Sequence, residues 1–222
     1  TFTATPSIAN LMSLLTDDAS GLGTFMTTPS SANFRALLTD EAGSSGGIVS
    51  AGYVTGAAED FLPAEYFVPP TTNGAQAGIR ILASNGQALF YYAYDTGTQE
   101  ILWAKWFPRK RYDGGTVTFA PIWTAESGSG TVEFELSGVA VSNDDALDAA
   151  PGTAQASADT LLTAGDLHQG PTSSAITIAG TFADGDGVWL KLVRDVANDT
   201  LGVDAQFLGL KIFYTTDQGN DA

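Results

Sequence analysis

From about residue 75 onward, apolar and polar positions alternate along the chain. In Gly130–Ser142, "GTVEFELSGVAVS", Val132, Phe134 and Leu136 fall on one side of an extended backbone and Glu133 and Glu135 on the other, because successive strand side chains point to opposite faces. Gly115–Ala125 alternates in the same way, with Val117, Phe119, Pro121 and Trp123 in step. Ile79–Ala83, Leu89–Tyr94, Glu100–Phe107, Ser173–Gly180, Gly187–Val196 and Ala205–Thr216 read as further strands, separated by turn-forming Gly, Asn and Asp such as "SNGQ". About eight short strands with such turns predict an antiparallel β-sandwich of jelly-roll type. An acidic, alanine-rich excursion, Asn143–Gly170, interrupts the series.

One strand departs from the pattern. In "EILWAKWFP", Ile101, Trp103 and Phe107 share one face, and Leu102, Ala104 and Trp106 share the other. A strand in an antiparallel sandwich has one wet face, so the outer face here is expected to be covered, by another subunit or by a loop of the same chain. Trp103 and Trp106 are therefore the candidates for a glycan or subunit contact.

Upstream the period changes. "TPSIANLMSLLTDDASGLGTFM", from Thr5 to Met26, is written again as "TPSSANFRALLTDEAGSSGGIV", from Thr28 to Val49. Leu11, Leu14 and Leu15 stand at i, i+3 and i+4, and Phe34, Leu37 and Leu38 repeat the stripe, which is helical spacing. Pro6 and Pro29 with the serines after them suit a helix start, and Gly21 and Gly43 suit its end. Helices this short are marginal alone, so their stripes must be buried on each other, on other subunits or on a larger partner. A plain helical hairpin at the edge of the main domain is the simplest form. The resulting organisation is mainly β: an N-terminal anchor with two short repeated helices over 1–47, a Gly/Ala/Pro-rich extended linker over 48–74, and the sandwich over 75–222.

The repeated Thr-Pro-Ser-x-Ala-Asn…Leu-Leu-Thr-Asp-Glu module resembles modules in bacteriophage fibre and tail proteins. The stretches "FPRKRYDGGTVTFAPIWTA", "DDALDAAPGTAQ" and "VRDVANDTLGVDAQFLGLKIFYT" resemble β-sandwich domains at the ends of phage virion proteins. The resemblance implies a structural protein of the virion, made in the host cytoplasm: a homotrimeric fibre, spike or decoration. Its N-terminus would dock on capsid or tail proteins through Leu11, Leu14, Leu15, Phe34, Leu37 and Leu38, and its sandwich would face outward. Those six docking residues are read from the helical stripe; the resemblance itself carries over no catalytic or binding residue.

Composition narrows the choice of partner. The 222 residues carry a net charge of −16 and no cysteine. Disulfides and thiolate metal sites are excluded, and so acidic a surface repels nucleic acid and anionic bilayers. No run of about 18 apolar residues predicts a membrane helix, and no basic-then-apolar leader is expected.

Catalytic chemistry finds little footing. His168, the single histidine, lies in a loop-like "DLHQG", and no Gly-x-Ser-x-Gly elbow supplies a nucleophile. Ser127–Gly130 reads as a hairpin turn. Glu133 and Glu135 stand ~6.6 Å apart by strand rise, a separation a glycosidase pair can have, but on a face that reads as solvated. "ADGDG" (Ala183–Gly187) opens like a calcium loop but lacks the later ligands, so a tight turn is expected. "PRKR" (Pro108–Arg111) reads as a loop that pairs with acidic loops. No enzyme activity, metal or cofactor is predicted. The alternative to a virion role is carbohydrate binding, as in recognition of a host-surface glycan, through Trp103, Trp106, Trp123 and Trp189 with Tyr91, Tyr92, Tyr94 and Tyr112 as a stacking platform.

Overall fold

The computed structural model describes residues 56–108, 112–183 and 185–216. The expected N-terminal helices with their Leu and Phe stripes, and most of the "PRKR" stretch, lie outside the described residues. Twelve strands follow one another: β1 (Gly56–Pro63), β2 (Phe67–Val68), β3 (Gln76–Ile81), β4 (Ala88–Tyr94), β5 (Ile101–Trp106), β6 (Tyr112–Thr124), β7 (Thr131–Val141), β8 (Gln155–Thr160), β9 (His168–Gln169), β10 (Ile178–Ala179), β11 (Gly187–Arg194) and β12 (Ala205–Thr216). A single 3₁₀ turn, Ala64–Tyr66, joins β1 to β2.

The strands form two six-stranded sheets. The first runs β3-β4-β12-β6-β9 with β1 also on β12, and the second runs β10-β7-β11-β5-β2 with β8 also on β7. β11 pairs antiparallel with β5 and β7, as do β12 with β4, β2 with β5, β3 with β4, β6 with β9 and β7 with β8, while β10 meets β7 in parallel over two residues. The expected β-sandwich is thus present.

The alternation read from the sequence explains the core. Val132, Phe134 and Leu136 are wholly buried, as are Leu102, Leu190 and Leu192 on the neighbouring strands. They meet Tyr94, Phe207, Leu210 and Ile212 of the first sheet. Aromatic edges bridge the gap: Tyr94 meets Phe134 at 5.5 Å and Phe67 meets Phe207 at 4.9 Å, both T-shaped, a geometry that aromatic quadrupoles favour. The Tyr94 hydroxyl donates to the Leu192 carbonyl at 3.3 Å.

Two expectations about boundaries are corrected. The sandwich does not begin at residue 75: the compact unit runs from Ala58 to Thr215, and Leu62, Ala64 and Phe67 are buried in its core. The prolines that suggested a linker, Pro63, Pro69 and Pro70, sit at strand ends, where a missing amide costs nothing. The excursion over 143–170 is not a plain interruption either. It holds β8, paired with β7 from Thr131↔Thr160 to Leu136↔Gln155, and β9, paired with β6 at Trp123↔His168.

Candidate functional site

The register of β5 against β11 builds the site. Trp189 stands opposite Lys105 and Lys191 opposite Trp103. Residues 102, 104 and 106 of β5 point into the core, so residues 103, 105 and 107 face outward. Trp103 and Trp189 are half-buried, and Lys105 is exposed. Phe107, 61% exposed, sets its ring edge-on to Trp189 at 6.1 Å. Val68 of β2 pairs with Trp103, and the 3₁₀ turn before it presents Tyr66, 62% exposed. Tyr66, Val68, Trp103, Ala104, Lys105 and Trp189 line one open cleft of about 400 Å³.

Glycine makes room for this platform. A Cβ on Gly187 would stand 2.7 Å from a ring carbon of Trp189 and 2.8 Å from one of Phe107. The Lys105 ammonium lies 5.3 Å from the Trp189 ring centroid, over the ring, within the range of a cation–π contact. The cleft thus offers aromatic surface with an exposed positive charge beside it.

Of the two tryptophans expected at a surface contact, the structure separates one from the other. Trp103 lines the cleft. Trp106 is core: its side chain is sealed, its indole N–H donates to Asp60 Oδ2 at 3.0 Å, and its ring packs on Tyr214 at 5.1 Å. The sequence shows two apolar faces on this strand but not which one turns inward. Trp123, Tyr92, Tyr94 and Tyr112 are also buried, so most of the expected aromatic platform is packing. Tyr66, Val68 and Phe107 were missed because the segment that carries Tyr66 and Val68 read as linker and Phe107 read only as part of a covered face.

Beyond Lys191 the same sheet turns acidic. Glu133 and Glu135 of β7 and Asp195 after β11 can bring carboxylate oxygens within 4.8 Å of one another. Burial and the Asp195 charge push both glutamates above the usual carboxylate range, while Lys191 pulls Glu135 partly back. The spacing would admit a cation, although Asp195 already accepts from the Ala197 amide and the Asn198 side chain. Both glutamates are half-buried rather than fully solvated.

His168 is a packing residue here. Its ring lies on Trp123 at 4.9 Å, Nδ1 is 3.9 Å from Asp159 Oδ2, and Nε2 is 3.3 Å from the Thr163 carbonyl. That same Asp159 oxygen accepts the Trp123 indole N–H at 2.9 Å. In the "ADGDG" segment, Asp186 Oδ2 accepts from the Ala183 amide at 2.7 Å and from Ser142 Oγ at 2.6 Å, so this carboxylate is engaged in turn hydrogen bonds.

A scan against protein-family models finds no match, and a search of curated proteins finds none. Solved structures do align. The CBM36-1 domain of a multidomain xylanase from the hindgut metagenome of Trinervitermes trinervoides is 12% identical, with 74% of this chain and 99% of that chain covered and a TM-score of 0.40. The family 11 carbohydrate-binding module from Clostridium thermocellum, in complex with a β-1,3-1,4-mixed-linked tetrasaccharide, is 8% identical over 74% and 98%, with a TM-score of 0.38. A mannan-recognising module, TmCBM27, is 9% identical over 72% and 98%, with a TM-score of 0.39. The ligands named for those modules are theirs, and the site of this chain rests on its own geometry.

Proposed function

We propose that the sandwich binds carbohydrate without transforming it, and that Trp103 and Trp189 are its stacking surfaces. One observation carries this reading: two half-buried indoles and an exposed Tyr66 converge on a single open cleft of about 400 Å³ on the outer face of a sheet. The apolar faces of sugar rings suit indole surfaces, and partly polar aromatic residues are common anchors of binding sites. Binding of the full chain to a glycan array, followed by calorimetry on the strongest glycan, tests it. Trp189→Ala and Trp103→Ala should each weaken binding at least about tenfold, as removal of an aromatic anchor does. No binding to any glycan, or full binding by both variants, would sink the reading.

A second reading is supported by the repeated segment of residues 5–26 and 28–49. On it the chain is a trimeric component of a bacteriophage particle, with its N-terminus docked and its cleft turned to the host surface. The two readings are compatible. Mass spectrometry of purified particles asks whether the chain is aboard, and light scattering asks whether it is a trimer. A chain missing from particles and monomeric at all concentrations would remove this second reading and leave the first.

A further inference from the structure

The cleft carries a charge pattern that its aromatic residues alone do not explain. Five lysines and arginines belong to the described residues: Arg80, Lys105, Lys191, Arg194 and Lys211. Three have carboxylate partners, Arg80 with Glu126 at 3.2 Å, Arg194 with Asp199 at 2.7 Å and Lys211 with Glu59 at 3.0 Å. Lys105 and Lys191 have none within 4 Å among the described residues. On a chain of net charge −16, cations outside any ion pair are conspicuous, and these two share one place, with Lys191 near enough to Glu135 to be felt by its carboxylate. Lys105 follows Trp103 by two residues on β5, and Lys191 follows Trp189 by two on β11. Because the strands are antiparallel, Trp103 faces Lys191 and Lys105 faces Trp189. The four side chains form a checkerboard in which each indole has one ammonium beside it along the strand and one across it.

Resting on the carbohydrate-binding reading above, we propose that this checkerboard takes an acidic polysaccharide. Its sugar rings stack on Trp103 and Trp189, and its carboxylate or sulfate groups are held by Lys105 and Lys191. Directly opposite cross-strand side chains are about 5 Å apart at Cβ, so an acid group on a stacked ring falls within reach of an ammonium on either side. Lys105 lies over the Trp189 ring in the free protein. A ring that stacks there displaces the ammonium and presents it with an anion in exchange. The acids on the same sheet set the register: Glu133, Glu135 and Asp195 lie beyond Lys191, where their charge repels an anionic chain and confines it to the tryptophan end.

The test is binding of the full chain to polygalacturonate and to its fully methyl-esterified form, which share one backbone and differ in charge, and to dextran sulfate and dextran. The acid or sulfated polymer should bind at least about tenfold more tightly than its neutral counterpart, since a hydrogen bond to a charged group is worth that much or more. The preference should weaken with added salt. Lys105→Gln and Lys191→Gln should each erase most of it, with Lys105→Arg retaining it. Lys211→Gln, on the other sheet, should leave it whole, which separates a site from general attraction. Preference for polygalacturonate assigns a carboxylate and preference for dextran sulfate alone assigns a sulfate. Equal binding of charged and neutral forms, or an unchanged preference in both glutamine variants, overturns the acidic ligand and leaves the carbohydrate reading standing. Failure of all four polymers together with binding to a neutral glycan on the array has the same meaning, whereas failure on the array as well removes both.

Discussion

Arg194 meets Asp199 at two points inside the sandwich, with Nε donating to Oδ2 at 2.7 Å and Nη2 to Oδ1 at 3.0 Å, and neither side chain is more than 3% exposed. The guanidinium also donates to the carbonyls of Tyr94, Leu201 and Val203. One arginine on β11 thereby fixes the loop that leads into β12. Asp199→Ala strands a buried cation, which costs about 3–5 kcal/mol. With about 2–4 °C per kcal/mol for a domain of this size, melting followed by circular dichroism should fall by about 10 °C.

Trp103 and Trp106, three positions apart on one strand, should respond oppositely to truncation. Trp106→Ala empties a sealed site and removes an indole donor from Asp60, so a loss of about 3–5 kcal/mol is expected. Trp103→Ala should shift stability by about 1 kcal/mol or less, as surface substitutions do, and weaken glycan binding. Melting curves and calorimetry on the two variants check this. A Trp106→Ala protein that melts like the parent would mean the core is misassigned.

The acidic end of the second sheet predicts a dependence on pH. Glu133 and Glu135 hold their protons above the usual carboxylate range, chiefly through burial and then through the Asp195 charge. In the pH interval between the ordinary value and the raised one, the folded chain binds more protons than the unfolded chain, so these groups cost stability as pH rises through that interval. Glu135→Gln removes the cost. The melting temperature of the variant minus that of the parent should be positive at pH 7 and shrink as the pH is lowered into the carboxylate range. A difference that grows on acidification would contradict it.

Gly187→Ala should damage the cleft more than the fold. The added carbon would meet the Trp189 and Phe107 rings, both at the outer face, and overpacking costs about 1–3 kcal/mol where neighbours cannot yield. Here the half-exposed rings turn aside. Tryptophan fluorescence should change and affinity should drop, with melting lowered by a few degrees or less. Unaltered affinity would show that the ring position is immaterial.

The strands legible in advance were those with bulky alternation. "GTVEFELSGVAVS" contains β7 and "GTVTFAPIWTA" covers all of β6 but its first three residues, and the buried Val132, Phe134 and Leu136 are those the period selects. β8, "QASADT", was missed because it has no large apolar side chain and takes its place by pairing with β7. β1 and β2 were hidden by the prolines around them. At the site, periodicity put Trp103 and Trp106 on opposite faces, but only the pairing with β11 and the packing of Leu102 decide which face is inside. Tyr66 was beyond reach for another reason: the 3₁₀ turn that aims it has no apolar period.

The strands between β7 and β11 have a mechanical meaning. The chain runs beside β7 as β8, crosses to the other sheet to pair with β6 as β9, continues along β6 through the amides of Gly170, Ser173 and Ile176, and returns to β7 as β10. It is a stitch through both layers. β1 enters the sandwich on the first sheet, whereas the tryptophan cleft lies on the second. A pull that would part the two layers is opposed by this seam, whose hydrogen bonds tie one stretch of chain to both. A sandwich laced in this way resists being pulled open like the covers of a book.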